Sequence, residues 1–166
     1  MKRGRKTKKI RGIGDIPHII TGLRALAESK ARYLLVGGVA ANLHGLSRGT
    51  KDIDVLIPKD LKNTEKILKG LENLLWGLSK EITAEEVLSK PFTIIGDTPR
   101  VDLLLTAGKL KFEEAYPHRL EKTVEGIKIF FVSLEDLIRS KQTSRPQDAI
   151  DIKEIKKLKK IRGDYR

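Results

Sequence analysis

The sequence predicts an α/β (α+β) domain, a mixed and mostly antiparallel twisted sheet flanked by helices, and three observations carry that expectation. Short apolar or alternating runs of strand length at 33–36, 51–57, 92–95, 101–105 and 127–132 are bounded by Gly, Pro and Asp. Apolar residues recur at helical spacing over 16–30, 59–78 and 133–141. A length of 166 residues with 39% hydrophobic content supports one core and leaves no room for two large ones.

Composition narrows the chemistry. The chain has no cysteine, so disulfides, thiolate metal sites and cysteine nucleophiles drop out, and a reducing interior suits it. No apolar run approaches the about 20 residues of a membrane span, and the start lacks the hydrophobic region of a secretory signal, which reads as a cytoplasmic protein. The net charge of +12 is unevenly placed: residues 2–11 hold seven Lys and Arg and no acid. Such a block reads as a flexible basic arm over 1–14, before a domain over 15–160 and a basic tail over 161–166. Its best physical partner is a polyanion, most simply RNA or DNA, with a solubilising tail as the plain alternative of nearly equal weight.

In chain order, Asp15 is placed to cap a helix with Pro17 in its first turn and Ile16, Ile19, Ile20, Leu23, Leu26 and Ala27 on one face. Tyr33 to Val36 then reads as a buried strand that stops at a Gly37-Gly38 turn, followed by one or two helical turns over 39–44 closed by Gly45. Glycines there let backbone N–H groups approach an anion, and the first turn of the helix directs its dipole at the same spot. His44 reads as a packing or hydrogen-bonding residue rather than a ligand.

The next strand alternates charge with aliphatic residue, Lys51-Asp52-Ile53-Asp54-Val55, before turning wholly apolar. Side chains two apart on a strand share a face, with Cα atoms roughly 6–7 Å apart, so Asp52 and Asp54 can share a hard cation such as Mg²⁺. Without one they would repel each other. Arg48 and Thr50 reach the same strand end at period two.

Beyond it, a helix over 59–78 carries Leu61, Ile67, Leu68, Leu71, Leu74, Leu75 and Leu78 on one side, and Trp76 reads as packing. Thr83 and Glu86 form a capping box. Strands over 92–95 and 101–105 are joined by a turn over 96–100, and Asp102 opens the second, where an acid at the mouth of an apolar strand needs a reason. A short helix over 109–116 ends at Pro117, and Glu125-Gly126 marks a hairpin between 119–123 and 127–132. Ser133 caps a helix that runs to Lys141, and Pro146 with Asp148 starts a last, Lys-rich one.

Gly37-Gly38, His44-Gly45 and Arg48-x-Thr50-x-Asp52-Ile53-Asp54 together resemble the signature of the DNA polymerase beta-like nucleotidyltransferase superfamily. Within it the likeness is to a small prokaryotic branch that includes the abortive-infection nucleotidyltransferase toxins, and it covers most of residues 33–151. The resemblance implies a nucleotidyltransferase-like domain in which Asp102 is the third acid beside Asp52 and Asp54. It also implies two Mg²⁺ ions and a nucleoside triphosphate with its phosphates over Gly37 and Gly38 and near Arg48 and Thr50. Lys141, then Arg145-Pro146-x-Asp148 with Asp151, is similar to the same branch's C-terminal motif. Lys141 and Arg145 are thereby expected to hold triphosphate oxygens, with Asp148 orienting Arg145. The acceptor stays open between an RNA 3′ end, a protein and a small molecule, with basic charge at both chain ends favouring RNA. A homodimer or an antitoxin partner is compatible with the small size. The segment between Gly38 and Asp52 is longer than in tighter members of the superfamily, so a binding module without catalysis is the competing expectation.

Overall fold

The computed structural model describes residues 17–74 and 78–163. The basic arm over 1–14, the Asp15 cap, Leu75, Trp76 and the final residues 164–166 lie outside them.

Helix α1 (Pro17–Glu28) buries Ile19, Leu23 and Leu26, the positions its apolar periodicity selects. Strand β1 (Leu34–Val36) passes directly into helix α2 (Gly37–Leu43), with no separate turn at the two glycines. Gly37 makes that junction with φ +64°, a conformation costly for any residue with a Cβ. Strand β2 (Asp52–Leu56) follows after a loop, then helix α3 (Leu61–Leu71), capped by the Asp60 carboxylate accepting from Asn63 N at 2.7 Å.

The helix expected over 59–78 is shorter than its apolar pattern. It ends at Leu71, where Glu72 N and Leu74 N bond the carbonyls three residues back and tighten the chain into turns. Leu74 still packs on the core from that turn, so the apolar spacing continues without the helix.

Helix α4 (Ala84–Leu88) is capped by Thr83 as expected, with Glu86 N donating to its hydroxyl at 3.1 Å. Strands β3 (Phe92–Ile95) and β4 (Arg100–Leu104) come next, and Arg100 is the first strand residue rather than the last of the turn. In place of the helix expected over 109–116, a small hairpin pairs β5 (Thr106–Ala107) with β6 (Leu110–Lys111) around Gly108 at φ +58°; helix α5 (Phe112–Ala115) is a single turn after it. Strands β7 (Leu120–Val124) and β8 (Ile127–Phe131) form the expected hairpin, and positive φ at both Glu125 and Gly126 gives the turn the twist such hairpins favour. Helix α6 (Leu134–Ser140) is capped by Ser133, and helix α7 (Pro146–Arg162) starts on Pro146 and closes on Gly163 in the left-handed region.

Six strands form one sheet in the order β3-β4-β2-β1-β8-β7. Three pairings are antiparallel (β3–β4, β1–β2, β7–β8) and two are parallel (β2–β4, β1–β8), so the sheet is mixed. Helix α1 lies across β2 and β8 and against α3. Ile53, Val55, Val101 and Leu103, alternate residues of β2 and β4, are fully buried on one face of the sheet. Asp52, Asp54, Arg100 and Asp102, which alternate with them on the same two strands, lie on the opposite face, and Asp54 and Asp102 line a cleft there. Among the described residues no helix is long and apolar enough to cross a membrane.

Candidate active site

The parallel register of β2 and β4 assembles the acids. It sets Asp54 beside Asp102 and Asp52 beside Arg100, all four on the face opposite the buried aliphatic residues. Arg100 holds both oxygens of Asp102, with Nε donating to Oδ1 at 2.9 Å and Nη2 to Oδ2 at 3.0 Å, and its Nε lies 3.9 Å from Asp52 Oδ2. Burial, then the charges of Asp102 and Asp52, push the Asp54 carboxyl up to about 7, and Arg100 offsets only part of that. Among the described residues no three carboxylate or imidazole groups are arranged as a ready-made metal cage. The donor chemistry nevertheless fits a hard divalent cation: all-oxygen carboxylate ligands on one strand face, with more negative charge than the neighbouring arginine neutralises.

The two glycines do more than free backbone N–H groups. A Cβ at Gly37 would come within 3.0 Å of Asp54 Cγ and 3.1 Å of its Cβ, and one at Gly38 would sit 2.9 Å from Thr50 Oγ1. A side chain at 37 would collide with the Asp54 side chain and one at 38 with that of Thr50, just before the strand that carries the acids. Thr50 Oγ1 in turn donates to the Asp52 carbonyl at 3.2 Å, fixing the start of β2.

A second ionic cluster joins the loop before β2 to the two C-terminal helices. Asp151, buried at 4% exposure, accepts from Arg48 Nη1, from Lys141 Nζ at 2.7 Å and from Gln147 Nε2 at 3.0 Å. Burial pushes the Asp151 carboxyl up, but the Lys141 and Gln147 hydrogen bonds and the Lys141 and Arg48 charges outweigh it and hold the carboxyl below the usual range. Arg145 Nε donates to Asp148 Oδ2 at 2.8 Å, Thr143 Oγ1 donates to the same oxygen, and Lys141 Nζ lies 3.9 Å from the other. Arg48 therefore points to α7 and not to the acids, with its backbone N–H on Asn42 Oδ1 at 3.0 Å.

Between the clusters lies a cleft of about 310 Å³ whose walls include Gly37, Asp54, Asp102, Lys141, Arg145 and Phe92. Five residues expected in the site thus share one cavity. Gly38, Arg48, Thr50, Asp52 and Asp148 are not part of its lining; they pack behind or beside the residues that are. The β5–β6 hairpin closes one side, where Gly108 approaches the Ser140 carbonyl too closely for a side chain.

Arg100 and Phe92 were not among the residues expected in the site. Arg100-Val101-Asp102-Leu103 repeats the alternation of Asp52-Ile53-Asp54-Val55, a signal that the turn-forming residues before it obscure. Phe92 and Ile94, 56% and 45% exposed, stand on β3 with Ile94 paired to Asp102. His44 fills the packing role expected of it, buried edge-on to Phe131 with Nε2 2.8 Å from the Val132 carbonyl.

A mixed sheet of this order with its helices is the fold of nucleotidyltransferases. The chain is similar to the crystal structure of the lincosamide antibiotic adenylyltransferase LnuA with lincomycin bound, with a TM-score of 0.54 and 18% identity over 86% of this chain and 96% of that one. It is also similar to a putative nucleotidyltransferase, TM1012, from Thermotoga maritima, with a TM-score of 0.50 and 18% identity over 89% of this chain and 92% of that one. At such identity the likeness is one of fold. The chain belongs to the family described as nucleotidyltransferase of unknown function (DUF6036), whose match spans residues 17–164. No curated protein matches it.

Proposed function

We propose that the protein moves a nucleoside monophosphate from a nucleoside triphosphate to a hydroxyl acceptor, releasing pyrophosphate, with Asp52, Asp54 and Asp102 as its metal-binding and catalytic acids. The observation that carries this reading is the β2–β4 register, which sets Asp54 beside Asp102 at the wall of a cleft that also holds Lys141 and Arg145. Divalent magnesium, two ions by the chemistry of paired carboxylates with a third, would neutralise the acids and stabilise the charge that develops on the phosphate oxygens.

The chain's own residues supply the rest. Lys141 and Arg145 bind the triphosphate oxygens as charge-assisted donors, and Asp148 orients Arg145. The backbone at Gly37 and Gly38 approaches the phosphates, while Arg48 and Thr50 secure the loop and strand that carry Asp52 and Asp54. Asp102 accepts the proton of the attacking hydroxyl. Positioning and charge neutralisation carry most of the catalysis in such a reaction, without a covalent protein nucleophile.

RNA is the acceptor we favour. Lys153, Lys156, Lys157 and Lys160 are exposed along α7, and the arm over 1–14 adds further positive charge. Phe92 and Ile94 offer an apolar platform beside Asp102 on which a terminal base can stack. LnuA, by its description, adenylylates a lincosamide antibiotic, so a small-molecule hydroxyl is the acceptor to test next. The Lys141, Arg145-Pro146-x-Asp148 and Asp151 pattern supports a place in the toxin-like branch, with an antitoxin or a second copy as partner.

One observation favours a second reading, a nucleic-acid or partner-binding module without catalysis: Arg100 occupies both oxygens of Asp102. Incubation with Mg²⁺, each labelled nucleoside triphosphate and total RNA, protein or small-molecule acceptors separates the two. Label transfer that vanishes in the Asp52→Ala, Asp54→Ala double variant is the expected result. Absence of transfer to every acceptor, with no Mg²⁺-dependent triphosphate binding by calorimetry, would leave the binding module.

A further inference from the structure

We propose that Arg100 is a built-in counter-cation of the acid cluster and competes with a divalent ion for Asp102. The inference rests on the reading of Asp52, Asp54 and Asp102 as metal ligands. Its foundation is a count of charges on one strand face: among the described residues, Arg100 is the only cation within ion-pair distance of any of the three carboxylates. It stands in register opposite Asp52 and two residues before Asp102, so the sheet itself, and no flexible loop, delivers it to the acids.

The fork geometry makes the competition specific. A guanidinium donating from Nε and Nη2 to the two oxygens of one carboxylate leaves neither oxygen free of a donor. A hard cation that takes Asp102 as a ligand has to draw at least one oxygen away from this fork. The remaining acid, Asp54, has no cation of its own, and Arg100 does not reach it as an ion pair. The metal-free cluster is therefore held together by one positive charge where the carboxylates call for more. The Arg100 side chain is 38% exposed, which gives it open solvent to swing into when its partner is taken. Arg100 is thus a positioning residue: it keeps Asp102 turned inward beside Asp54 while no ion is bound, and sets the concentration at which an ion can enter.

The test is Mn²⁺ binding to the full chain, followed by electron paramagnetic resonance of the free ion, for the wild type, Arg100→Gln, Arg100→Lys and Asp54→Asn. Removing one positive charge beside the ion is expected to tighten Mn²⁺ binding at Arg100→Gln by at least about fivefold. Arg100→Lys, which keeps the charge and loses the fork, is expected to fall between the two. Thermal melts in EDTA, with Arg100→Gln lower than wild type, supply a readout independent of any activity. Mn²⁺ binding that depends on Asp54 but is unchanged or weaker at Arg100→Gln would overturn the inference and leave the metal-site reading standing. Mn²⁺ binding by Arg100→Gln alone would support it in its strongest form, with Arg100 closing the site. No Mn²⁺ binding by either protein would remove both.

Discussion

The two ionic clusters on either side of the cleft are built from the same residue types and differ in balance. Around Asp151, three cations (Arg48, Lys141, Arg145) meet two carboxylates, and every buried oxygen has a donor nearby. On β2 and β4, one arginine stands among three carboxylates and ion-pairs with only two of them, Asp52 and Asp102. The consequences run in opposite directions: the Asp151 carboxyl is held below its ordinary range, while that of Asp54 is pushed up to about 7. A cluster whose carboxylates are all matched by cations holds structure together; in the proposed reading, the one left short of positive charge is the one that takes a cation from solution.

The largest effect that would test this contrast is on transfer. Asp54→Asn should lower label transfer at least about 10³-fold, yet raise the stability of the metal-free protein at pH 8, read by urea unfolding in EDTA. A variant that loses activity and stability together would show Asp54 to be an ordinary structural acid. Next in size, Asp151→Ala should cost about 3 kcal/mol in the same unfolding measurement, because Arg48 and Lys141 lose their shared partner. Equal and small effects at the two aspartates would erase the distinction.

The sign of the pH dependence sharpens it further. Asp54 has a folded pKa of about 7 against 3.8 for an ordinary aspartate, so the folded state holds its proton more tightly. Its contribution to stability is fully present below about pH 4 and is lost as pH rises toward 7, by on the order of 4 kcal/mol. Asp151 has a lowered folded pKa, so its contribution is present above the ordinary aspartate range and is lost as pH falls through its folded value. Urea unfolding in EDTA across pH 4–8 should therefore show a fall toward neutrality that Asp54→Asn removes and Asp151→Ala leaves in place. The smallest effect concerns the platform. Phe92→Ala should raise the acceptor KM about tenfold and leave the Kd for nucleoside triphosphate unchanged, and a change in the latter would assign Phe92 to the donor instead.

Much of this arrangement was legible in the residues. Period-two alternation marked β2 and placed Asp52 and Asp54 on one face, because pleating alone dictates that outcome. Thr83, Ser133 and Pro146 marked three helix starts, because capping is local chemistry. The parallel neighbours were not legible: a run such as Val101 to Leu105 declares a strand but not its partner, and the β2–β4 pairing joins segments about 48 residues apart. The helix end at Leu71 was hidden because Leu74 stays apolar whether it packs from a helix or a turn. Arg100 was hidden by Gly96 and Pro99, which announce a turn without saying where it stops.

That long-range pairing also governs when the site comes into being. A ribosome delivers Asp52 and Asp54 well before Arg100 and Asp102, and later still Lys141 and Asp151, so a nascent chain carries a pair of acids with neither Arg100 nor a cleft beside them. Pairings so distant along the chain form slowly, since loop closure precedes their reward. In the proposed reading, nucleotide chemistry is thereby withheld until nearly the whole domain has emerged and folded, and a product truncated after β3, lacking Asp102, Lys141 and Arg145, is expected to be inert.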